Sequence, residues 1–215
     1  MTAPLTGTTF VHRFLPGSQP QSPVLLLLHG TGGTEEDLIP LGRQLSPGAA
    51  LLSIRGRVLE NGMPRFFRRL AEGVFDQKDL LHRTQELYSF LSDARETYGL
   101  RDSRIIAAGY SNGANIASSL LLREPHALQG AILLRAMVPF EPESLPDLSG
   151  TPVFLAAGRR DPIVPESNTR SLEAIYKRAG ATVELHWHPG GHELGSDDVQ
   201  AAHLWLARQK LTGAV

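Results

Sequence analysis

Cysteine is absent from the 215 residues. The chain therefore has no disulfide framework, needs no oxidising compartment, and offers neither a thiol nucleophile nor a thiolate metal site. Excess charge of one sign is also missing: 21 Lys and Arg stand against 22 Asp and Glu, a net charge of −1. Such a balance creates no global field that favours nucleic acid or an anionic membrane. Long apolar runs are missing too. The longest clean one, Val24 to Leu28, falls far short of the ~20 residues that a membrane helix needs. The N-terminal MTAPLTGTTF has no basic region followed by an apolar stretch. It does not read as a signal peptide, and a cytoplasmic location is the default expectation. No repeat, low-complexity tract or long linker is visible, so one domain is expected over residues 1–215.

What is present alternates. Thr9 to Leu15 reads as an edge strand. Val24–Leu28 is the unbroken apolar run expected of a strand covered on both faces. Glu35 to Leu45 reads as a helix with Thr34 as its N-cap. Ala49–Ile54 is a further strand, and Asp79 to Tyr98 a helix stopped by Gly99. Strands follow at 104–108, 128–134, 153–157 and 182–187, with helices at 114–123, 167–179 and 197–209 between or after them. This order predicts an α/β fold: a mainly parallel sheet with helices on both faces and no large lid domain. In such sheets ligands bind beyond the carboxyl ends of the strands.

Four motifs each follow a strand. Gly109-Tyr110-Ser111-Asn112-Gly113 fits G-x-S-x-G between a strand and a helix. A sharp turn there pushes the Ser111 hydroxyl over the sheet edge and leaves the Asn112 amide at a helix N-terminus. His29-Gly30-Thr31-Gly32-Gly33 is a Gly-rich turn that can aim the Thr31 amide at an oxyanion. It lacks the lysine and spacing of a phosphate loop, and His29 reads as a brace. Serine needs a base, and the base needs an orienting carboxylate. Asp161, in Gly158-Arg159-Arg160-Asp161-Pro162, is the candidate acid, ahead of Asp147 and Glu166. His192, in Pro189-Gly190-Gly191-His192-Glu193, is the candidate base. His186, His188 and His192 also admit a zinc reading through their H-x-H spacing. No matching carboxylate–histidine pattern supports it, and no metal is expected.

These residues resemble the phospholipase/carboxylesterase branch of the α/β hydrolases, close to dienelactone-hydrolase-like proteins. The resemblance rests on L-H-G-T-G-G, G-Y-S-N-G-A, G-R-R-D-P-I-V-P and G-G-H-E, and covers Phe10 to Leu206. The stretch from Arg55 to Asp76 is similar to a small bacterial subgroup assigned as hydrolases, some associated with resistance to quinone-type compounds. The resemblance implies Ser111, Asp161 and His192 as a triad, with the amides of Thr31 and Asn112 as oxyanion hole. Dienelactone hydrolases proper use a cysteine nucleophile, so their own activity is not carried over.

The expected function is hydrolysis of small carboxylic esters through an acyl-enzyme, without a metal or organic cofactor. A thioesterase, a lysophospholipase and an idle hydrolase-fold binding protein are the alternatives. The expected partner is a small-molecule ester; nucleic acid is not expected, and monomer and homodimer both stay open. Residues 55–76 follow a strand and should reach the same sheet edge. Phe66, Phe67 and Arg65 are candidate substrate contacts there, with Arg68 or Arg69 also able to meet a negative group. Packing of these aromatics in the core is the equal alternative. Val138, within Met137-Val138-Pro139-Phe140, is a further candidate pocket wall.

Overall fold

The computed structural model describes residues 10–19 and 21–210. Thr9, the expected start of the edge strand, and the rest of residues 1–9 lie outside them. The chain runs β1 (His12–Leu15), β2 (Val24–Leu28), α1 (Ile39–Leu45), β3 (Leu51–Ile54), β4 (Val58–Glu60), β5 (Met63–Arg65), β6 (Arg69–Ala71), β7 (Val74–Phe75), α2 (Gln77–Thr97) and β8 (Ile105–Tyr110). It continues through α3 (Asn112–Arg123), β9 (Ala131–Leu134), β10 (Pro152–Gly158), α4 (Glu166–Arg178), β11 (Thr182–His188) and α5 (Ser196–Lys210). Seven strands form one sheet in the order β1-β3-β2-β8-β9-β10-β11. Only β1 runs antiparallel, at the edge against β3; the other pairs are parallel.

Alternation along β2 explains why its apolar run is unbroken. Successive side chains of a strand point to opposite faces. Leu25 and Leu27 join a core layer with Leu41 and Leu45 of α1 and Trp205 and Leu206 of α5. Val24, Leu26 and Leu28 join the opposite layer, with Leu87 and Phe90 of α2, Ile116 of α3 and Leu172 of α4. Both faces are therefore covered, and the sheet is the mainly parallel one that the strand–helix alternation predicts.

One expectation needs correction. The helix expected from Glu35 begins only at Ile39, and Thr34 does not cap it. Residues 35–38 form turns: a helix running from Glu35 would place Pro40 in its interior, with no N–H to donate and its ring against the Glu36 carbonyl. Glu35 instead pairs with Arg55, which donates from Nε at 2.5 Å and Nη2 at 2.8 Å. Pro40 then occupies the first helical turn, where its missing N–H costs nothing. Residues 55–76 fold as two β-hairpins, β4–β5 and β6–β7. The helix after them is capped by Asp76, whose side chain accepts from the Asp79 amide at 3.0 Å.

The order of connection sets the place of the site. From β2 the chain moves to β3 on one side, then returns to lay β8 on the other. The carboxyl ends of β2 and β8 thus flank a topological switch point, where open α/β sheets form their crevices. Among the described residues no helix is long and apolar enough to cross a membrane.

Candidate active site

Ser111 sits between β8 and α3 with φ 52° and ψ −114°, a conformation that non-glycine residues rarely adopt. Close packing makes the flanking glycines necessary. A Cβ on Gly113 would lie 2.0 Å from the Leu28 carbonyl oxygen, and one on Gly109 would lie 2.6 Å from the Gly113 oxygen. The strained turn carries the Ser111 hydroxyl to His192: Oγ and Nε2 are 2.9 Å apart. On the other side of the ring, Nδ1 lies 2.8 Å from Asp161 Oδ2. Asp161 Oδ1 accepts from the amides of Ile163 at 2.8 Å and Val164 at 3.0 Å, so its carboxylate is fixed and its side chain wholly buried. The chain Asp161–His192–Ser111 can take a proton from the hydroxyl and hold the resulting charge.

Thr31 and Asn112, after β2 and β8, line the same cleft as Ser111 and His192, with a volume of about 310 Å³. Their backbone amides have no hydrogen-bond partner among the described residues. Both neighbouring segments are held from behind. His29 Nε2 accepts from the Gly56 amide at 2.9 Å, and Nδ1 lies 2.5 Å from the Gly30 oxygen. Burial holds the His29 pKa below its ordinary value, so the ring is a neutral brace. Asn112 Oδ1 accepts from the Phe66 amide at 2.7 Å.

The 55–76 segment divides. Arg65 is buried yet lines the cleft. It donates from Nη1 to Thr31 Oγ1 at 2.6 Å and from Nε to the Phe67 oxygen at 3.2 Å. Phe66 and Phe67, 1% and 0% exposed, join the core beside Leu80 and Phe90 and do not line the cleft. The reason is spacing: Arg65 faces the site, and the two residues after it turn into the layer under α2. Phe75 is the aromatic of this segment that reaches the cleft. Arg69 lines it too, whereas Arg68 is an exposed partner of Asp76 and Asp79. Val138 is half-buried against the core, its amide donating to Asn168 Oδ1 at 2.9 Å; Met137 lines the cleft instead.

Arg135 was not foreseen. It follows β9 with φ 58°, is 0% exposed, and grips the loop that carries His192. Nε donates to the Gly191 oxygen at 3.1 Å and Nη2 to the Glu193 oxygen at 2.7 Å, one carbonyl on each side of His192. Tyr110 adds a third hold, donating its hydroxyl to the His192 oxygen at 3.0 Å. A lone charge directly after an apolar strand, at the sheet edge that bears the elbow, was the available signal. Of the histidines at 186, 188 and 192, the first two both approach Asp197, His186 Nε2 at 3.4 Å, and the third stands apart. His192 meets Asp161, while His188 Nδ1 lies 2.9 Å from Asp197. Among the described residues His188, Asp197 and Asp198 come close enough to share an ion, but Asp198 is already engaged by Arg135.

Sheet order, elbow and cleft together define an esterase-type hydrolase of the α/β-hydrolase fold. The sequence matches the family described as Phospholipase/Carboxylesterase over residues 12–209, and the chain belongs to that family. MhqD of Bacillus subtilis (strain 168), named as a hydrolase, is 52% identical over 182 residues, covering 85% of this chain and 91% of that protein. The crystal structure of the Bacillus cereus carboxylesterase superposes with a TM-score of 0.90 at 49% identity, over 93% of this chain and 94% of that one. The structure of YahD with malic acid superposes with a TM-score of 0.87 at 32% identity, over 93% of this chain and 99% of that one.

Proposed function

We propose that the protein is a serine hydrolase that cleaves small carboxylic esters through an acyl-enzyme. The observation that carries this reading is the hydrogen-bonded line from Asp161 through His192 to Ser111 Oγ, at 2.8 Å and 2.9 Å. His192 takes the hydroxyl proton as Ser111 attacks the ester carbonyl. The amides of Thr31 and Asn112 donate to the oxyanion, where their charge is best placed to lower the barrier. The tetrahedral adduct collapses, the ester C–O bond breaks, and the alcohol leaves with the proton from His192. Water, activated by the same ring, then hydrolyses the acyl-enzyme. Asp161 holds the ring with Nδ1 protonated and Nε2 free to accept.

The cleft supports small substrates. Its volume, about 310 Å³, lies at the low end for ligand pockets. Malic acid, the ligand in the related YahD structure, is a molecule of that scale. The test is a panel of p-nitrophenyl esters from acetate to decanoate, with aromatic esters added. This reading expects saturable turnover that falls off for long acyl chains. Absence of turnover across the panel would contradict it.

A further inference from the structure

The cleft wall beside the Thr31 loop carries two guanidinium groups that share a single ion-pair partner. Arg65, Arg69 and Arg135 line the cleft, against Glu72 as the carboxylate of that lining. Glu72 is exposed. Arg135 is matched by its own buried partner, Asp198. Arg65 and Arg69 instead share one counterion: Glu60 lies 3.3 Å from Arg65 Nε and 2.6 Å from Arg69 Nη2. Two guanidinium groups on one carboxylate leave a positive charge over, in a setting partly withdrawn from water, where an anion is strongly attracted.

Donors are left over as well. Arg65 uses Nε and Nη1 on Phe67 and Thr31, and Arg69 uses Nε and Nη2 on Glu60. Arg65 Nη2 and Arg69 Nη1 have no hydrogen-bond partner among the described residues. The placement matters. Arg65 is tied to the side chain of Thr31, which lines the cleft with Ser111, so the spare donors lie beside the proposed position of an ester carbonyl.

We propose that this wall reads a second, anionic group on the substrate. Preferred substrates are then small esters with a free carboxylate a few bonds from the scissile carbonyl, such as half-esters of short dicarboxylic acids. Guanidinium matches carboxylate in shape and number of donors better than any other side chain does. The small cleft and the apolar side chains of Phe75, Met137 and Val164 leave space for a short alkyl stem between the two groups. This inference rests on the serine-esterase reading.

The experiment compares monomethyl glutarate with methyl 5-methylhexanoate, a neutral ester of similar shape, at pH 7.5. Each hydrolysis consumes one water and yields a carboxylate, methanol and a proton, and the proton is read by pH-stat. Ser111 is labelled with a fluorophosphonate in parallel. One charge-assisted contact predicts a kcat/KM ratio of about 10–100 in favour of the half-ester. In Arg69→Gln that ratio should fall by about tenfold, because the fork is lost while Arg65 still pairs Glu60. A labelled enzyme that shows no preference, prefers the neutral ester, or turns over neither overturns this inference alone. A ratio unchanged in Arg69→Gln at an unchanged Tm does the same. Failure to label Ser111 removes the esterase reading, and this inference with it.

Discussion

Arg135 and Asp198 form a two-pronged ion pair with both side chains fully buried, at 3.1 Å and 2.6 Å. The pair joins the end of β9 to the start of α5, and Arg135 also donates to the loop bearing His192. Asp198 also accepts from the Gly195 amide at 2.9 Å, which closes the far end of that loop. The pair therefore links a buried charge balance to the placement of the proposed base.

Arg135→Met should leave Asp198 buried and unpaired, at a cost of about 3–5 kcal/mol. Adding Asp198→Asn removes the stranded charge and should restore most of the Tm. It should not restore kcat, because the carbonyls of Gly191 and Glu193 still lack their donors. Thermal melts and kcat for both variants check this. Recovery of kcat together with Tm would show that the arginine serves stability only.

Phe66→Ala and Phe67→Ala should each cost about 3–5 kcal/mol, since both side chains lie in the core. For a chain of this size that is a loss of roughly 6–20 °C in Tm. Hydrolysis of short and bulky esters should fall together. A selective loss on the bulky ester at an unchanged Tm would return these residues to the cleft wall.

His29 predicts a pH effect whose sign follows from burial. Its folded-state pKa lies below the ordinary 6.5, so the unfolded chain binds the proton more readily. The stability it contributes is complete above about pH 6.5 and is lost as pH falls through the lower, folded-state value. Urea melts at pH 7.5 and pH 5 measure the loss. In His29→Gln, which keeps an acceptor for the Gly56 amide, the difference between the two melts should shrink. An unchanged difference would assign the acid sensitivity to other groups.

Asp161→Asn should lower kcat by about four orders of magnitude, the scale seen when a buried triad acid is lost. Glu166→Gln should be nearly silent, because Glu166 is a surface partner of Arg159 and Arg170. Kinetics on one p-nitrophenyl ester decide between them. The reverse pattern would move the acid to Glu166.

The elements legible in the sequence were those whose local pattern agrees with their burial. The apolar run of β2 and the small residues of α3 mark a covered strand and a helix packed tightly upon it. Ser111, Asp161 and His192 each follow a strand, so the topology brings them to one sheet edge without further information. The pattern fell short where a distant partner decides. The start of α1 is a different case, since Pro40 is a local signal that apolar spacing alone passes over, and it moves the first turn to Ile39. Phe66 and Arg65 are chain neighbours, yet one enters the core and the other the cleft, which depends on how the hairpins dock against α2. Arg135 stands alone in sequence, and its role appears only when Asp198 and the His192 loop fold over it.

Ser111 is the proposed nucleophile, and its role carries the whole mechanism. That role is tested most directly by treating the folded protein with a fluorophosphonate, then measuring intact mass and mapping the modified peptide. One adduct per chain is expected, on Ser111, with esterase activity lost in parallel. Ser111→Ala should show no adduct and no turnover, with Tm little changed, because alanine meets the same backbone conformation as serine. An adduct on another residue, or Ser111→Ala activity within about tenfold of the parent, would contradict it, since loss of a true nucleophile costs far more.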